Sequence, residues 1–117
     1  MIKDMLTIIA ACLLMACIPQ HQVKAVTGAV EIYKPDGSRQ CEPDSGTPLS
    51  EMEKILTDAG IEVLSSRRDH DCLFRPALCG TATGAINIYE ISRDQLPEAQ
   101  ALDFIPYGQL KARCESR

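Results

Sequence analysis

The sequence contains no tryptophan, three tyrosines and two phenylalanines. Platforms that stack sugars or nucleobases use more ring surface than this. No two cysteines stand at C-x-x-C spacing, and none pairs with a histidine at zinc-finger spacing. That argues against a thioredoxin-type redox motif and a zinc finger. No apolar run is long enough to cross a bilayer as a stable helix, since the stretch from Met5 to Ile18 ends at Pro19. Basic charge is scarce: 12 Lys and Arg stand against 16 Asp and Glu, a net charge of −4. A mixed, net negative surface is a poor partner for nucleic acid, and no basic amphipathic stretch suits anionic lipid.

What the N-terminus does have is an export pattern. Lys3 precedes the apolar run, and "QHQVKA" follows it. Val23 and Ala25 are small enough for the −3 and −1 pockets of a signal peptidase, so residues 1–25 read as a signal peptide and 26–117 as the mature domain. A competing pattern resembles the bacterial lipobox. Leu14, Met15, Ala16 and Cys17 fit it, which would make 1–16 the signal and Cys17 a lipidated anchor. The complete c-region favours the plain signal. Either cut exports the chain to the periplasm or beyond, and membrane attachment follows only if Cys17 is lipidated.

The mature part loses Lys3, Lys24 and Asp4, leaving 10 basic and 15 acidic residues, a net charge of −5. Its size allows one domain with a limited core. Its four cysteines, Cys41, Cys72, Cys79 and Cys114, read as two disulfides in an exported chain.

Alternation over "AVEIYK" predicts a strand at about 28–34, followed by a type I turn at "KPDG". Thr47 and Pro48 suit the start of a helix. Leu49, Met52, Leu56 and Ala59 give that helix an apolar face, and Gly60 stops it. "IEVL" then reads as a strand with Ile61 and Val63 inward. "GAINIYE" at 84–90 echoes "GAVEIYK" at 28–34, which suggests a duplicated unit. A second helix follows, capped by Asp94, with Pro97 in its first turn and Leu96, Ala99 and Leu102 on one face. "FIPY" is a short edge strand because of Pro106.

The series β-α-β-β-α-β predicts a small α+β domain. Four or five antiparallel strands would carry two helices on one face, in the split, ferredoxin-like arrangement. The connection 67–84 is long for a hairpin, and "CLFRPALCG" within it is apolar enough for an extra strand. Four cysteines allow three pairings. The two repeated strands should lie side by side, which places Cys41 and Cys79 at one end of the sheet. That favours Cys41–Cys79 with Cys72–Cys114; the local option is Cys72–Cys79 with Cys41–Cys114.

"RRDHD" is the one charged constellation. Arg67, Arg68, Asp69, His70 and Asp71 read as a solvated loop tip and as candidate binding residues. His70 flanked by carboxylates could also serve as a general base or metal ligand, although neighbours along an extended chain point to opposite sides. "GTATG" lacks the lysine of a phosphate loop and precedes a strand, so it reads as a hairpin turn. No cofactor motif is present.

The leading functional expectation is a non-catalytic exported module that binds a protein or envelope component through the 67–84 loop. The others are a small hydrolytic or metal-dependent enzyme centred on His70, and a structural envelope lipoprotein.

Overall fold

The computed structural model describes residues 28–117, so the expected signal peptide and Cys17 lie outside the described residues. The described chain runs β1 (Ala29–Pro35), α1 (Leu49–Asp58), β2 (Val63–His70), β3 (Ala85–Ser92), α2 (Leu96–Ala101), β4 (Ile105–Pro106) and α3 (Gly108–Glu115). A 3-10 turn, Arg93–Gln95, leads into α2. The four strands form one antiparallel sheet in the order β2-β3-β1-β4. The two strands with similar heptapeptides therefore lie at its centre. β4 is the short edge strand that Pro106 allows.

Alternation divides the central strands between two cores. Ile32 on β1 and Tyr89 and Ile91 on β3 face Met52 and Leu56 of α1, Ala99 of α2, and Phe104. Leu49, Leu96 and Leu102 pack at the rim of this cluster. Both helices thus cover the same face of the sheet. No side chain caps α1. Two side chains of β3 fasten its start instead: Asn87 Nδ2 donates to Thr47 O at 3.0 Å, and the Tyr89 hydroxyl donates to Leu49 O at 2.6 Å. Gly60, at φ +79°, carries the chain out of α1 in a conformation that disfavours any other residue.

The opposite face holds Ile86 and Ile88, covered by Tyr107 and Leu110. Here the structure departs from the expected two helices. A third, α3, lies across this face, with Tyr33 meeting Tyr107 edge to face at 6.0 Å. Its sequence, "GQLKARCE", buries only Leu110, so no apolar stripe announced it.

The heptapeptide echo is out of phase. In the β1–β3 register Ile32 lies opposite Tyr89, and Tyr33 opposite Ile88. Residues directly opposite share a face, so Ile32 looks toward α1 while its sequence counterpart Ile88 looks toward α3. Matching letters occupy non-equivalent environments, which overturns the duplication as a structural repeat.

Two disulfides close the fold, Cys41–Cys79 and Cys72–Cys114. This is the pairing that the sheet-end argument favours. Disulfides persist in oxidising compartments, in keeping with export. Among the described residues no helix is long and apolar enough to cross a membrane.

Candidate functional site

The expected binding pentapeptide is not a loop tip. Arg67, Arg68, Asp69 and His70 are the last four residues of β2, paired with Ile88, Asn87, Ile86 and Ala85 of β3. β2 is an edge strand exposed along most of its length, so it tolerates polar residues that an alternation test reads as loop. Alternation then splits the charges. Arg67 and Asp69 lie toward α3, and Arg68 and His70 toward the other face.

Each charged group is engaged within the chain. Arg67 donates to Glu31 at 2.9 Å and to Asp69 at 2.7 Å, and stacks over the Tyr107 ring. Burial opposes its charge, but Glu31 and Asp69 outweigh that and raise its pKa. Arg68 reaches Asp36 at 3.0 Å. Asp36, from the "KPDG" segment, is buried and also accepts the Ser38 N–H at 2.8 Å. The Ser38 hydroxyl meets Thr83, not a base, so nothing there activates it as a nucleophile.

His70 has both ring nitrogens occupied. Nε2 donates to Thr83 O at 2.9 Å, and Nδ1 accepts the Cys72 N–H at 3.2 Å. With both nitrogens engaged inside the chain, neither is turned toward a substrate as a general base would be. Among the described residues, no three His, Cys, Asp or Glu side chains converge as a metal site would need.

What lies beyond β2 is built differently. Cys72 to Cys79, "CLFRPALC", contains no helix or strand, so the extra strand expected there is absent. Pro76 interrupts the run, and the apolar side chains face water rather than a sheet. Phe74 is 87% exposed, Leu78 59% and Leu73 40%. One cysteine at each end ties the loop to a distant element: Cys72 to α3, Cys79 to the segment after β1.

Polar contacts brace the loop from beneath. Arg75 turns inward onto buried Asp71. Asp71 also accepts the Leu73 N–H at 3.1 Å. Burial opposes ionisation of Asp71, yet Arg75, the Leu73 N–H and nearby His70 outweigh it and hold the carboxyl below its ordinary pKa. Gln40 Nε2 donates to Pro76 O at 3.0 Å, and the Thr81 hydroxyl donates to Leu78 O at 2.6 Å. Gly84 closes the floor. A Cβ there would stand 2.7 Å from His70 Nε2 and 2.8 Å from Asp71 Oδ1, and its φ is +86°.

A shallow groove beside the loop is lined by Leu73, Phe74 and Ala77, with His70, Arg75 and Arg117 among its polar residues. No family model matches this chain, nor does any curated protein or solved structure. Geometry alone therefore carries the functional argument. Within the span 67–84 the exposed apolar side chains lie in its second part, at Leu73, Phe74 and Leu78, and not in the charged pentapeptide 67–71. The available signal was a proline inside an apolar run that cysteines bracket at both ends.

Proposed function

We propose that this chain is an exported, disulfide-stapled binding module that meets a protein partner with the loop from Cys72 to Cys79. The observation that carries the reading is Phe74, 87% exposed on a segment covalently tied at both ends. Leaving a large aromatic side chain in water forgoes about 2–3 kcal/mol of burial. A rigid loop that presents one loses little further freedom on binding, so most of that burial goes into affinity. Exposed aromatic anchors are enriched among residues that dominate protein interfaces. The charged residues 67–71 then act as the loop's foundation and not as its contact surface.

Photo-cross-linking in the cells that export the protein tests this. A photoreactive phenylalanine analogue replaces Phe74 in one variant and exposed Glu98 of α2 in another. A discrete protein adduct from position 74 and none from position 98 is the expected result. Identical adducts from both positions, or none from position 74, would sink the reading.

A further inference from the structure

We infer that the Cys72–Cys79 loop is a substrate-like inhibitory segment for a serine protease with an apolar primary pocket, and that Phe74 is the side chain that enters it. The inference rests on the binding reading above and names the partner's class. Three observations converge on the Phe74–Arg75 bond. The segment is irregular and exposed, which a protease cleft requires of the chain it accepts. Phe74 projects from it at 87% exposure, fitting a slot of the kind that selects aromatic side chains. The chain on either side of the bond is held independently of the bond itself.

That last property separates an inhibitor from a substrate. On the Phe74 side stand the Cys72–Cys114 bridge and the Leu73 N–H on Asp71. On the Arg75 side stand the Cys41–Cys79 bridge, the Gln40 bond to Pro76 O and the Thr81 bond to Leu78 O. Arg75 itself grips Asp71, which belongs to the other side of the bond. The ion pair spans the point of attack.

The chemistry follows from this bracing. The protease's serine oxygen attacks the Phe74 carbonyl carbon. The C–N bond to Arg75 breaks, the acyl group passes to the serine oxygen, and the Arg75 nitrogen takes the serine's proton to leave as an amine. In a loose peptide that amine diffuses away, and water releases Phe74 as a carboxylate. Here Arg75 remains tied to Asp71, so its amine stays beside the ester, attacks its carbonyl carbon, returns a proton to the departing serine oxygen and re-forms the peptide bond. Water is kept out and the complex persists. Complexes of this pre-organised kind are among the tightest between proteins.

The test uses purified protein with both bridges intact, chymotrypsin as the probe, and a chromogenic substrate as the reporter. Expected is saturable inhibition with the chain recovered intact by mass. Phe74→Ala should weaken it by about 100-fold, as loss of a central anchor does. Phe74→Arg should transfer inhibition from chymotrypsin to trypsin. Position 74 is exposed, so neither change threatens folding. Undiminished reporter hydrolysis, rapid cutting after Phe74 without inhibition, or failure of Phe74→Arg to acquire trypsin inhibition would each overturn the inference. They would do so whether or not position 74 cross-links to a partner, so the two proposals fail separately.

Discussion

Replacing Cys72 and Cys114 together by serine should release α3 while leaving the sheet folded. The two bridges span similar lengths of chain, with sequence separations of 42 and 38 residues. In the chain-entropy account each removal therefore destabilises the fold by about 4 kcal/mol. Globally the two are alike; locally they differ. α3 has eight residues, too few to hold a helix alone in water. Its docking buries Leu110 and helps cover Ile86 and Ile88. One buried leucine contributes about 1.5–3 kcal/mol, whereas fixing each residue's backbone costs about 1–2 kcal/mol. Without the tether the helix loses that contest. Urea unfolding should show the loss of about 4 kcal/mol for either bridge. Hydrogen exchange should distinguish them: the amides of Lys111–Glu115 lose protection only in the Cys72/Cys114 variant, and those of Ile86–Ile91 keep it in both. Retained protection across α3 without its bridge would refute the reasoning, because the helix would then be self-supporting.

Two pH-linked expectations follow from buried groups. Burial, with the Glu53 charge, pushes Tyr89 up to about 12, so the folded hydroxyl holds its proton more tightly than the unfolded chain does. Its contribution is complete below about pH 10 and is lost as pH rises toward 12; Tyr89→Phe should abolish this alkaline loss in thermal melts and cost about 1 kcal/mol at neutral pH through the missing bond to Leu49 O. Asp71 runs the other way. Its lowered pKa stabilises the fold above the ordinary carboxylate range, and that contribution disappears as pH falls through the folded value. Asp71→Asn should cost about 1.5–3 kcal/mol near neutral pH, and its Tm should converge with the parent's in strong acid.

The parts of the fold legible in the sequence are those where burial writes a period. β1, α1 and α2 turn alternate or helically spaced apolar residues inward, and their pattern locates them; β3, covered on both faces, buries Ile86 to Tyr89 in a row and was located by its likeness to β1. The strand order then brings Cys41 and Cys79 to one end of the sheet. β2 was legible only at Val63, since an exposed edge has no reason to alternate. α3 depends on one leucine, one tyrosine before it and a bridge, which leaves no stripe to find. The repeated heptapeptide misled because identity of letters carries no phase: an antiparallel neighbour offset by one residue turns the same side chains to opposite faces. At the candidate site, apolar residues were visible in the sequence but their exposure was not. The Arg75–Asp71 strut, the two bridges and the bonds from Gln40 and Thr81 to the loop's carbonyls hold Leu73, Phe74 and Leu78 in water.

The chain enters and leaves the domain at opposite poles. Gly28 accepts a hydrogen bond from Arg93 beside the Ala29–Ser92 end of the sheet, whereas Asp71 bonds to Gly84 at the other end, where the loop begins. Seven residues of β1 separate the two by about 20 Å. Arg117, by contrast, lines the groove beside Phe74. Surface immobilisation or an affinity handle placed ahead of Gly28 leaves the loop facing outward. A handle joined after Arg117 starts within the groove and competes for the same space, so an assay of the loop that uses it reports a blocked surface.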